Sequence, residues 1–236
     1  MLSKQFVEDW IRDYIRDQNS ERALVRDDYR ILVHTSAEVV SVDFFTSVYV
    51  ERTLPAGRIE VPINSVEGDF ACEDQNLRTA LNLPRTVEDC SIRMNPLTSL
   101  VGGPVKVFRM DCSGCAITSC VGAPECTVLD MSETQIVNFE GMHASTKEVI
   151  AWQCDQLASL QGLPTQLVDV DITFDTNLPL LRCLGAQHIH IRTEDGSVME
   201  QPLTDILQKY AGQGRAGAIA CAAELIRAGY KGNARW

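Results

Sequence analysis

The sequence predicts a solenoid of about six stacked turns, each contributing one short strand to a parallel sheet. Three observations carry that expectation. One apolar residue recurs every 19 to 21 positions, at Leu77, Leu97, Ile117, Ile136, Leu157 and Leu178. Behind it, at fixed offsets, come a second apolar residue (Ala80, Leu100, Cys120, Phe139, Leu160, Leu181), then glycine (Gly102, Gly122, Gly141, Gly162), then proline (Pro84, Pro104, Pro124, Pro164). Ahead of it stand alternating apolar pairs: Phe70 and Cys72, Cys90 and Ile92, Met110 and Cys112, Leu129 and Met131, Ile150 and Trp152. A period of this size marks a repeat unit that buries its apolar side only by stacking on its neighbours. The period-2 pairs mark strands with one buried face.

Taken in chain order, residues 1–65 read as an N-terminal cap. Residues 3–18 form an amphipathic helix with Phe6, Val7, Trp10, Ile11, Tyr14 and Ile15 on one face and Ser3 as its N-cap. Residues 28–54 read as strands that cover the first repeat, and residues 53–65, with Pro55, Gly57 and Pro62, as an irregular turn. Residues 66–181 are the array. The return path of a 20-residue turn has no room for a full helix, and its recurrent proline suits an extended or polyproline segment. Two residues before the anchors, Gln75, Asn95, Cys115, Thr134 and Asp155 are placed to bond the backbone leaving each strand, with Cys115 the poorest at it. Val170 and Ile172 continue the strand series one residue out of phase. Residues 182–236 read as a C-terminal cap: a last strand at 188–193, a helix from Pro202 bearing Leu203, Ile206, Leu207 and Tyr210, and a second helix at 215–228 with Ile219, Ala222 and Ile226 inward. Trp236 is expected to pack into that cap.

The net charge of −11 is concentrated on the array, where residues 61–180 hold 16 acidic and 6 basic side chains. Such a body repels phosphate backbones, which argues against nucleic acid as a partner. No apolar run of about 18 residues exists, so no membrane partner is expected. The acids inside the first apolar stretch do not suit a secretory signal. Nine cysteines, an odd number, fit free thiols in a cytoplasmic, reducing compartment. Cys112, Cys115, Cys120 and Cys126 have a spacing that suggests zinc. The repeat register explains them more simply, because each occupies a place that Leu, Ile, Phe or Val fills in other turns. No metal and no cofactor is therefore expected.

The pattern resembles the leucine-rich-repeat family in its short form of about 20 residues, over residues 66–181. The units MNPLTSLVGGP (94–104) and CSGCAITSCVGAP (112–124) look like the repeats of bacteriophage and bacterial proteins, and residues 208–236 are similar to the terminal segment of such phage proteins. The resemblance implies a leucine-rich-repeat solenoid of α/β class, with a host-cytoplasmic location if the chain is phage-derived. Cys72-Glu73-Asp74 is similar to the Cys-x-Asp of bacterial ubiquitin ligases joined to such repeats. The helical catalytic domain is missing, however, and Cys72 falls in the core.

No catalytic constellation emerges, and the expectation is that the chain is not an enzyme. His188 and His190 share a strand face without an evident third ligand, His143 stands at a turn, and the AGQGRAG loop (211–217) reads as a hinge rather than an anion cradle. The face of the strands turned away from the core is the expected binding surface, on the concave side of the array. Asp69, Glu73, Asp89, Arg93, Arg109, Asp111, Asp130, Gln153 and Asp171 lie there, with Val149, Ala151 and Asp169. Repeat proteins use such extended faces for recognition, so the leading expectation is a non-enzymatic module for a protein partner. The alternatives are a structural protein that oligomerises through a cap, and a protein that sequesters a small molecule or metal at the C-terminal end.

Overall fold

The computed structural model describes residues 2–16, 24–33, 39–193, 195 and 197–236. It is a parallel-strand β-solenoid of about eight turns with few helices. Helix α1 (Lys4–Tyr14) comes first, and Ser3 Oγ accepts a hydrogen bond from the Phe6 N–H at 3.1 Å. The helix is shorter than the sequence predicts. Ile15 leaves it to form strand β1 (Ile15–Arg16), antiparallel to β4 (Val48–Val50), which keeps Ile15 on the buried face of Val7, Trp10 and Ile11. The rest of the predicted helix, residues 17 and 18, lies outside the described residues, as does His34.

Strand β2 (Tyr29–Val33) pairs antiparallel with β3 (Val39–Phe44). From β3 onward the pairing between successive turns is parallel. The first two turns carry broken strands: β3 pairs with β5 (Ile63–Val66), and β4 pairs with β6 (Phe70–Ala71). Both β5 and β6 then meet β7 (Thr86–Ser91). Five more strands follow at one per turn: β8 (Lys106–Asp111), β9 (Val128–Asp130), β10 (Glu148–Ala151), β11 (Asp169–Thr173) and β12 (His188–Arg192). Parallel pairing therefore extends on both sides of residues 66–181. The exposed edge of β12 is met by helix α2 (Gln201–Tyr210), where Gln208 Oε1 and Thr204 Oγ1 accept from the N–H groups of Ile189 and Ile191 at 2.9 and 3.3 Å. These side chains satisfy edge donors that a further strand would otherwise take. Helix α3 (Gly214–Arg227) packs beside α2.

The apolar spine runs through the whole stack. All six anchors and all six of their partners three residues on are buried. The nine cysteines are buried free thiols. Asn95, 2% exposed, joins adjacent turns. Its Oδ1 accepts from the N–H groups of Gln75 and Leu77, and its Nδ2 donates to the carbonyls of Cys72, Ile92 and Arg93. Cys115, expected to serve poorly in this place, points its Sγ at the Ile92 carbonyl at 3.2 Å.

The corner after each anchor explains the recurrent glycine. Gly102, Gly122, Gly141 and Gly162 all have φ between +84° and +94°, a region costly to residues bearing Cβ. At Gly122 and Gly141 a Cβ would also come within 2.6–2.7 Å of the backbone of Val101 and Val121 in the preceding turn. In the first turn Asn82 holds this place at φ +69°, and its side chain reaches the Ile59 carbonyl at 2.9 Å.

Three further expectations fail by one residue of phase, and a fourth, for Trp236, fails in its packing. In β10 the inward residues are Val149 and Ala151, not Ile150 and Trp152. Val149 aligns with Leu129 and Val170, so the phase change lies between β9 and β10, one turn earlier than Val170 and Ile172 suggest. The same extra residue puts Cys154, rather than Asp155, on the Met131 carbonyl. In α3 the inward residues are Gly217, Ala218, Cys221 and Leu225, while Ile219 and Ile226 are exposed. Trp236, expected to be packed, is 65% exposed.

Candidate functional site

Parallel register converts one position per turn into a column of side chains. On the outer face, one column runs Ser91, Asp111, Asp130, Ile150, Asp171, His190; beside it runs Asp89, Arg109, Val128, Glu148, Asp169, His188. Of the sequence-predicted site residues, Asp89, Arg109, Asp111, Asp130 and Asp171 thus fall into two adjacent columns. Asp69 lies in the break before β6, while Glu73 and Arg93 project just beyond their strands. Gln153 departs from the group. It sits past the end of β10 at φ +51°, and its N–H donates to Thr173 Oγ1 at 2.7 Å. Val149 and Ala151 point inside, and Val128, although in the outer column, is covered, so none of these three is presented to solvent.

At the N-terminal end of this face, Tyr49, Asp69, Asp89, Ser91, Arg109 and Asp111 surround a shallow depression of about 240 Å³. Ser91 Oγ donates to Glu73 Oε1 at its margin. Burial pushes the Asp89 carboxyl up, and the Asp69 carboxylate adds to this against the opposing pull of Arg109. One Asp89 oxygen is shielded from solvent without a hydrogen-bond partner. Asp111 Oδ1 accepts from the Ser113 N–H and hydroxyl at 3.0 and 2.7 Å. Asp130 Oδ1 accepts from the Ser132 N–H at 3.0 Å. These Asp-x-Ser turns fix the carboxylates where the chain leaves the strand. Asp130 is also raised, first by burial and further by Asp111. Arg93 and Arg109 stand 3.9 and 4.0 Å from Asp111 and Asp130, too far to hydrogen-bond them.

The C-terminal end of the face is differently built. Arg192 forks onto Asp171 with three contacts of 2.7–3.0 Å, and its guanidinium lies 4.5 Å over the Trp152 ring. Asp171 is thereby neutralised, and Trp152 is partly covered. His190 and His188 approach one oxygen of Asp169, at 3.4 and 4.0 Å. Among the described residues no group of three or more His, Cys, Asp or Glu is arranged to hold a metal ion. The thiols of Cys112, Cys115, Cys120 and Cys126 are all pushed up by burial, Cys115 to about 11 and Cys120 to about 12. Cys72 is pushed to about 12 in the same way, so none of these thiols is poised as a nucleophile. The exposed turn residue His143 contacts Ser145 Oγ at 2.7 Å.

One feature escaped the sequence reading. Two residues after each of the first five anchors, Thr79, Ser99, Ser119, Asn138 and Ser159 accept from the N–H two positions on. This ladder of small polar side chains pins the corner that the glycines turn. Its signal was a Ser, Thr or Asn at the same offset in all five turns.

The fold and the outer face define the molecule as a parallel β-solenoid presenting a carboxylate-rich sheet surface. No family model, curated protein or solved structure matches the chain. No helix among the described residues is long and apolar enough to cross a membrane.

Proposed function

We propose that the chain is a non-enzymatic protein-binding module, a short leucine-rich-repeat solenoid whose outer sheet face takes a basic segment of a protein partner. The observation that carries this reading is the under-neutralised group of Asp69, Glu73, Asp89 and Asp111 around one depression, with Arg93 and Arg109 held off the carboxylates. A cationic side chain entering there compensates the burial that raises Asp89 and offsets the repulsion from Asp69 that adds to it. The buried thiols and the likeness of the repeats to phage and bacterial proteins support a cytoplasmic setting, that of a host cell if the chain is phage-derived. The buried Asn95 that joins adjacent turns and the glycine corners support the leucine-rich-repeat reading, with the terminal helices acting as caps.

The test is capture of a partner from bacterial lysate on the immobilised chain, repeated with Glu73→Lys/Asp111→Lys. Glu73 is exposed and Asp111 partly exposed, whereas Asp130 is nearly covered. The expected result is a partner released by salt and lost with the double variant. A partner captured equally by both proteins, or none captured by either, overturns the reading.

A further inference from the structure

A second, wider cavity lies far along the chain from the acidic face. It is a cleft of about 910 Å³ between the last turns of the solenoid and α3. That volume suits a small molecule of drug size. Its wall is apolar, formed by Leu163, Leu181, Leu184, Ala218, Ile219 and Trp236. Ile219 and Trp236, each 65% exposed, are large apolar side chains that the predicted packing would have hidden. They stand open because α3 turns its alanine and cysteine face inward, and because the chain beyond it is tied down before Trp236. Asn233 Nδ2 donates to the carbonyls of Asp175 and Leu178, and Arg235 donates to the carbonyl of Asn177.

The ionisable side chains of the lining have one sign. Arg182 and Arg215 are exposed at the cleft, neither has an ion-pair or hydrogen-bond partner among the described residues, and no Asp or Glu lines the cavity. In a chain of net charge −11, a cavity lined by two unpaired guanidinium groups and by no acidic side chain is a local inversion of charge. The loop at its mouth turns through left-handed Gly212 and Gly214, at φ +72° and +64°. No side chain caps the first turn of α3, because Gln213 turns away to donate to the Lys209 carbonyl. Free helix N–H groups and two arginines therefore border the same apolar wall.

We propose that this cleft is a binding site for an amphipathic carboxylate, a small molecule with an apolar body and a single anionic head. The body lies against Leu181, Leu184, Ile219 and Trp236. The head pairs with Arg182 and Arg215 at the mouth. The site is independent of the acidic face and does not depend on a protein partner there.

Calorimetric titration of the full chain with dodecanoate, below its micelle-forming concentration, tests the assignment. The expected result is saturable binding of one dodecanoate per chain. Dodecanol is expected to bind at least ten-fold more weakly, and Arg182→Ala/Arg215→Ala to weaken dodecanoate at least ten-fold with an unchanged circular dichroism spectrum. Trp236→Gln supplies a second variant that removes apolar wall while leaving both charges, and it too is expected to weaken binding. Absence of saturable dodecanoate binding overturns the proposal, as does equal affinity for dodecanol or for the double arginine variant. Light scattering is run alongside. A dimer of the wild-type chain that Ile219→Glu converts to monomer assigns the cleft to a second copy and likewise overturns it.

Discussion

The turns before and after the gap between β9 and β10 use the same spine but solve the outer face differently. In β7 and β8, before it, the inward and outward sets are distinct: Cys90 and Met110 are inside, and Ser91 and Asp111 outside. After it, an apolar residue, Ile150, occupies the outer column between Asp130 and Asp171, and Trp152 lies outside beneath Arg192. The first half leaves Asp69, Glu73, Asp89 and Asp111 without an ion pair shorter than 3.9 Å among the described residues. The second half covers apolar surface with a stacked, carboxylate-bound arginine. The comparison teaches that a solenoid can preserve its core through a phase change and alter only what it shows to solvent.

Core truncation breaks the comparison most sharply. Leu129→Ala removes a fully buried side chain and is expected to cost about 3–5 kcal/mol. Ile150→Ala, in the next turn, is expected to cost about 1 kcal/mol because the residue is only half buried. Chemical denaturation of both variants checks this; equal losses would return Ile150 to the spine.

The corners come next. Gly141→Ala imposes a Cβ at φ +93° and within 2.7 Å of the Val121 backbone, and we expect a loss of about 3 kcal/mol from strain and overlap together. Asn82→Gly, at the equivalent corner of the first turn, gives up one side-chain hydrogen bond and is expected to cost about 1 kcal/mol or less. Thermal unfolding of the pair separates a requirement for glycine from a mere preference.

The ladder position gives a similar contrast of comparable size. Asn95→Ala leaves several buried backbone groups without partners and should cost about 3 kcal/mol. Cys154→Ala, the counterpart beyond the phase change, loses one weak thiol donor to the Met131 carbonyl and should cost about 1 kcal/mol.

The smallest effect concerns charge. Asp130 is held above the ordinary carboxylate range by burial and by Asp111, so its ionised form destabilises the fold. That penalty is absent below the unfolded-state pKa and develops as pH rises through the folded one. Asp130→Asn keeps an oxygen to accept from Ser132 and should stabilise the chain at pH 7 by at most about 1 kcal/mol. The gain should vanish in strong acid. Unfolding midpoints measured at several pH values check it, and a variant less stable at pH 7 contradicts the assignment.

The places where sequence reading failed share a cause. In residues 149–152, Val-Ile-Ala-Trp offers an apolar residue in either phase, so alternation cannot choose a face. Helix α3 is similar, since Ala218, Cys221 and Leu225 compete with Ile219 and Ile226 for the inward stripe. Where the alternation was unambiguous, as in Val87 to Cys112, the inward residues and the outer carboxylates were both legible. The open cleft was not, because it depends on the α3 phase and on Asn233 reaching back to residues 175–178.

The sequence by itself determined the period, the buried spine and the glycine corners, because each is set by a local requirement repeated every turn. Burial needs an apolar side chain at each step, and the left-handed corner favours a residue without Cβ. Only the tertiary structure decided which side of the Val-Ile-Ala-Trp strand faces inward, how Arg192 covers Trp152, and that Arg182, Arg215 and Trp236 border one cavity. Those outcomes depend on neighbouring turns meeting in space, where an apolar residue is buried or exposed according to what lies against it rather than what precedes it in the chain.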